Sequence, residues 1–206
     1  PEACRSPGVS TADVLMQADA AARDYWRHMF VRADTPTPPS ATGPAASSPE
    51  PTLPAAVGVR LASGAAANGV VVDLSSPLWR AVTTVNAEVN AAIRAEDDQR
   101  AYRQADYWAI PRATGRVKPV GDCEDFALAK RERLLALGVP AETLSIALVR
   151  TRTGLSHAVL LVATDEGEYV LDNLTPWVVH WTEARLTWRE RQAPGQMLQW
   201  VHLAAE

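Results

Sequence analysis

Gly121-Asp122-Cys123-Glu124-Asp125-Phe126-Ala127-Leu128-Ala129-Lys130 puts a cysteine at the head of a helix-forming run that continues to Leu137. That run holds strong helix formers and no proline. Gly138 follows as a good left-handed C-cap, with Pro140 just beyond. A thiol at a helix N-terminus meets backbone N–H groups that the helix does not use, together with the positive end of its dipole. Both favour the thiolate, the nucleophilic form. His157 and Asp172 follow at the mouths of two strand-like runs. Cysteine, histidine and aspartate in this order make a candidate nucleophile, base and orienter of the base.

Around this stretch the pattern predicts an α+β domain. Leu144–Arg150, His157–Ala163 and Glu168–Asp172 read as strands, and Asp165-Glu166-Gly167 is a hairpin turn signal. With a two-residue loop that pairs Thr164 with Gly167, His157 falls opposite Leu174 and Asp172 is its diagonal neighbour on the same face; a one-residue slip would send Asp172 to the other face. Upstream, Gly69–Leu74 reads as a short strand. Pro77 opens a helix with Leu78, Val82, Val85, Val89 and Ile93 on one stripe. Residues 106–115 form a loop of aromatics and breakers. Helices first and an antiparallel meander afterwards give the α+β class. Toward the N-terminus, Val14, Leu15, Ala18, Ala21, Ala22, Tyr25, Trp26 and Met29 recur at helical spacing, so residues 1–33 hold an amphipathic helix over 11–30. Residues 34–56 carry seven prolines among Ala, Ser and Thr and read as a linker; the globular pattern runs over 57–206.

The bulk numbers restrict the partners. A chain of 206 residues, 47% hydrophobic, supports one sizeable core. A net charge of −4 without a Lys/Arg cluster argues against nucleic acid or anionic lipid as the main partner. No run of about 18 apolar residues marks a transmembrane helix. A chain that begins at Pro1 is expected to be a processed form. Of its two cysteines, Cys4 is expected to stay apart from Cys123 in the active form, because a disulfide between them would consume the nucleophile.

The residues flanking Cys123 are a physical problem. Three carboxylates beside a sulfur raise its pKa, and a helix dipole worth about half a charge does not cancel them. Two readings stay open. Asp122 can be an N-cap with Asp125 three residues on, imitating a capping box, and Glu124 a surface acid matched to the dipole. Alternatively, a divalent cation neutralises the group, and hard oxygen ligands then suit Ca²⁺ better than Zn²⁺, with further ligands from elsewhere. Cys123 itself has a bland alternative as an inert buried cysteine, which its polar surroundings oppose.

Several spaced segments agree in order with one family. Gly121–Lys130, Leu137-Gly138-Val139-Pro140, Ser156-His157-Ala158-Val159-Leu160 and Val170-Leu171-Asp172-Asn173-Leu174 resemble the bacterial transglutaminase-like cysteine peptidases, and so do Val85–Asn90 and Asp106–Pro111. The resemblance runs from about residue 70 to about 182. It implies a papain/transglutaminase-like core, with the nucleophile at a helix N-terminus packed on an antiparallel sheet. It further implies Cys123 as nucleophile, His157 as general base and acid, and Asp172 as its orienter. In the LapG-like branch, the positions of Asp122 and Glu124 bind calcium and the enzyme is periplasmic, acting on a cell-surface protein. Trp108 matches a family aromatic, as packing for the site or as an oxyanion donor. The Cys123 N–H is the better placed oxyanion donor. The Pro-rich 34–56 segment and the tail from Trp188 depart from that branch. A transamidase using the same triad and a silent calcium- or partner-binding module are the competing readings.

Overall fold

A computed structural model describes residues 61–63, 70–115 and 117–203. The helix expected over 11–30 and the linker expected over 34–56 lie outside these residues. In chain order the elements are β1 (Leu61–Ser63), β2 (Val70–Val72), α1 (Ser76–Ala92), β3 (Arg94–Ala95), α2 (Asp98–Ala101), β4 (Val120–Gly121) and α3 (Cys123–Ala136). A 3₁₀ turn (Ala141–Thr143) leads into β5 (Leu144–Arg150), β6 (Ser156–Thr164), β7 (Gly167–Leu171), β8 (Val179–His180), β9 (Thr187–Ala193) and β10 (Gln196–His202). Among the described residues no helix is long and apolar enough to cross a membrane.

α1 starts where Ser75 caps it, its hydroxyl accepting from the Leu78 N–H at 3.5 Å, with Pro77 in the first turn. Its predicted stripe is buried: Leu78, Val82, Val85 and Val89, joined by Ala81. α3 is buried on nearly every side, from Cys123 through Arg131 and again at Leu134. It ends in a Schellman pair: Val139 N–H donates to Leu134 O at 3.0 Å and Gly138 N–H to Leu135 O at 2.9 Å, with Gly138 at φ +86°.

Eight strands form one sheet in the order β1-β2-β6-β5-β9-β10, with β7 on β6 and β8 beyond β7. The β6–β7 hairpin has the predicted register, Thr164 opposite Gly167, and runs to Leu160 opposite Leu171. The sheet is not a pure antiparallel meander, however. β2 meets β6 parallel at Val72 and Thr164, and Asp165 pins this junction by accepting from Leu74 N–H at 2.8 Å while its own N–H donates to Val72 O at 2.9 Å. The β9–β10 hairpin is not evident in the sequence, because Trp188-Arg189-Glu190-Arg191 shows no apolar alternation. It turns at Pro194-Gly195, with Gly195 at φ +70°, and adds β9 to the edge of β5. Buried Gln192 secures it: Oε1 accepts from Ile146 N–H at 3.0 Å and Nε2 donates to Met197 O at 3.0 Å.

Ala147, Val149, Val159, Leu161 and Val170 make the core of one sheet face, covered by Val179, Ala184, Leu186 and Trp188. α3 packs on β6 and β5. Each fully buried Leu, Ile or Val there contributes about 1.5–3 kcal/mol. A separate two-stranded parallel pairing joins β3 to β4, Arg94 opposite Val120 and Ala95 opposite Gly121. It ties the residues just ahead of Cys123 to the end of α1.

A Cβ added at Gly138 would meet open space, so only the backbone opposes a side chain there. Gly138→Ala is expected to cost about 1–2 kcal/mol of stability in denaturant unfolding, without changing the reactivity of the reduced Cys123 thiol.

Candidate active site

Three elements bring the sequence-derived site residues together. α3 presents Cys123 in its first turn, β6 presents His157 as its second residue, and Asp172 stands one residue past the end of β7. His157 Nε2 and Asp172 Oδ1 are 2.8 Å apart. The next residue of β6, Ala158, donates its N–H to Cys123 Sγ at 3.2 Å. All three side chains are nearly enclosed, with residue exposures of 4% for Cys123, 2% for His157 and 8% for Asp172. His157 Nδ1 is buried and has no hydrogen-bond partner. A carboxylate accepts only, so Nε2–H donates to Asp172, and Nδ1 is the ring nitrogen left to exchange a proton. Burial pushes the Asp172 carboxyl up. The His157 hydrogen bond and charge, the Leu174 N–H at 2.8 Å and Lys130 outweigh it and leave Asp172 below the usual aspartate range.

The Cys123 sulfur is disulfide-bonded in this structure. The sequence holds one other cysteine, Cys4, which lies outside the described residues. A nucleophile at this position requires the thiol.

Beside the sulfur lies a group of acids larger than the sequence indicated. Glu124 Oε2 is 3.2 Å from Cys123 Sγ. Carboxylate oxygens of Asp98, Asp122 and Asp125 lie within 4.8 Å of one another, and so do those of Asp98, Asp106 and Glu124. Asp122 occupies the N-cap position of α3, but its side chain makes no capping hydrogen bond. Asp98 Oδ1, Asp122 Oδ1 and Asp125 Oδ2 are buried without a partner. The other Asp125 oxygen accepts from Ala109 N–H at 2.8 Å, and Asp98 accepts from Tyr107 N–H. Glycine at 121 is a steric requirement, since a Cβ there would stand 2.7 Å from Asp125 Cβ. Burial raises all five carboxyls: Asp98 to about 7, with the Asp122 charge adding to it, Asp125 to about 9, Glu124 well above its ordinary value, and Asp106 and Asp122 upward too. Hard carboxylate oxygens gathered this closely are the donor set of a calcium-type cation. The residues present therefore fit such a metal, with Asp98, Asp106 and Asp125 joining the sequence-derived Asp122 and Glu124. Sequence reasoning misses Asp98 and Asp106 because their contribution depends on how residues 96–108 fold back on α3.

Trp108 is buried at this group. Its indole hydrogen-bonds Asp106 and packs edge-to-face on Trp200 at 5.9 Å between centroids. Its polar edge thus serves the acids. Lys130, two turns along α3 from Cys123, is fully buried; burial lowers its ammonium to about 7 against the pull of Asp172.

The sequence matches the family described as bacterial transglutaminase-like cysteine proteinase over residues 62–206. Among solved structures it is similar to calcium-bound LapG of Legionella pneumophila, 28% identical with a TM-score of 0.47 over 56% of this chain and 65% of that one. The EGTA-treated form of the same protein gives 29% identity and a TM-score of 0.46 over 56% and 63%. The chain thus spans less than two thirds of the length of these proteins. No curated protein gives a significant match.

The raised carboxyls fix the sign of the pH dependence. Asp98 and Asp125 keep their protons in the fold where the unfolded chain has lost them, so they contribute stability that is full below about pH 4 and lost as pH rises through about 7 and about 9. Asp172 works oppositely only below about pH 4, and Lys130 only above about 7. In the presence of a chelator, the unfolding temperature is expected to fall from pH 4 to pH 7. Asp98→Asn combined with Asp125→Asn should flatten that slope, and an unfolding temperature that climbs over the same window contradicts the assignment.

Proposed function

We propose that this chain, a member of the bacterial transglutaminase-like cysteine proteinase family, cleaves a protein substrate through an acyl-enzyme on Cys123, with His157 as base and acid and Asp172 as its orienter. The observation that carries the reading is the arrangement of His157: Nε2 engaged with Asp172 Oδ1 at 2.8 Å, Nδ1 unengaged, and the adjacent Ala158 N–H on the Cys123 sulfur.

The chemistry follows from these atoms. With Cys123 as the thiol, Nδ1 takes its proton while Nε2–H stays on Asp172, giving a thiolate and an imidazolium. The thiolate attacks the scissile carbonyl. In this reading the Cys123 N–H, in the first turn of α3, is the donor to the developing oxyanion. Nδ1–H then protonates the leaving amine, and an acyl-enzyme remains. Water, deprotonated by Nδ1, releases it. An amine in place of water would give transamidation by the same residues; hydrolysis is the reaction of the family to which the chain belongs.

Asp98, Asp106, Asp122, Glu124 and Asp125 would hold the cation, and calcium suits their oxygens. A bound cation supplies positive charge that offsets the acids beside the sulfur. Without it, the chain itself must keep Glu124 protonated, since an ionised Glu124 at 3.2 Å opposes a thiolate. The site of action in this reading is the periplasm or the exterior of a bacterial cell, with an envelope or cell-surface protein as substrate.

Two measurements test the proposal. In the native, reduced protein iodoacetamide should modify Cys123 far faster than Cys4, and His157→Ala should slow that modification; equal, slow labelling of both thiols would point to a silent module. Calorimetric titration with Ca²⁺ up to millimolar concentration should show binding that raises the unfolding temperature and that Asp122→Ala with Glu124→Ala removes. An absence of heat and of any stabilisation would exclude the cation.

A further inference from the structure

We propose that Asn86 and Asn90 are positioning residues of the triad, which hold Asp172 in place by gripping the backbone of its loop; this deepens the peptidase reading and rests on it. The sheet does not hold Asp172 itself, because the β6–β7 ladder ends at Leu160 opposite Leu171. The loop beyond needs donors for its carbonyls, and α1 supplies them. Asn90 Nδ2 donates to Asp172 O at 2.9 Å and to Thr175 O at 3.2 Å. Asn86 Nδ2, one turn earlier on the same face, donates to Pro176 O at 3.2 Å.

The residue type matters. Asn is a poor residue for a helix interior, and a buried amide is costly unless bonded. Here two of them stand among Val82, Val85 and Val89, Asn86 wholly buried, and the Oδ1 atoms of both are buried without a partner. A helix facing only apolar core would carry Leu or Ala at such positions. The arrangement instead delivers amide donors to three carbonyls within five residues of the catalytic carboxylate. Asp172 Oδ1 accepts from both His157 Nε2 and Leu174 N–H at 2.8 Å, so a shift of this loop also moves the group that fixes the imidazole.

The test is the pH profile of iodoacetamide alkylation of Cys123 in the reduced full chain, measured per folded molecule. Asn90→Asp, nearly isosteric but without donors, and Asn90→Ala should each slow alkylation about 10- to 100-fold and change the profile's shape as Asp172→Ala does. Combining either with Asp172→Ala should add no further loss. If Asp172→Ala slows alkylation while both Asn90 variants keep the wild-type rate and profile, or if the losses simply multiply, the positioning role is overturned and the triad stands. If Asp172→Ala itself changes nothing, the triad reading falls and takes this inference with it.

Discussion

The buried hydrogen bond between His157 and Asp172 is the interaction on which the rest of the site depends. It decides which imidazole nitrogen holds the proton and therefore which one can act on sulfur. Its value to the site lies in placement. The register of one hairpin, Thr164 against Gly167, brings Asp172 to His157. The packing of α3 on β6 brings Cys123 to the residue next to His157. The β3–β4 pairing fixes the approach to α3 from the other side. Cys123 and His157 thus come from two elements whose mutual position is set by the main core of the domain.

Electrostatics runs against this arrangement, and the fold does not hide the conflict. Five acids gather at the start of the helix that carries the sulfur, with three of their oxygens buried and unpaired. A chain selected for stability alone would not concentrate like charges where burial raises every one of their pKa values. Protonation or a bound cation resolves the conflict, and a cation would do so while using the oxygens as ligands. Glycine at 121 and the Ala109 N–H show how closely the backbone is wrapped around Asp125 to make the group.

Much of this is legible in the sequence where the cause is local. The α1 stripe, the glycine stop after α3, the strands β5 to β7 and the hairpin register all follow from periodicity and turn chemistry, and the order Cys, His, Asp points to the residues that meet. What escapes has non-local causes. β9 carries charge on a half-exposed strand and is defined by its pairing with β5. The parallel contact of β2 with β6, Val72 with Thr164, closes across more than ninety residues. Asp98 and Asp106 join the acids only because a loop folds back onto α3, and Asn86 and Asn90 look like interruptions of an apolar helix until the loop they hold is in view.

The account's central claim is that Nδ1 of His157 and the sulfur of Cys123 act on one another. The most direct measurement is ¹⁵N NMR titration of the His157 ring in the reduced protein, compared with Cys123→Ala. The account predicts that Nε2 stays protonated throughout, and that the titration of Nδ1 shifts when the sulfur is removed. A proton resting on Nδ1, or an Nδ1 titration indifferent to the presence of the sulfur, would contradict it.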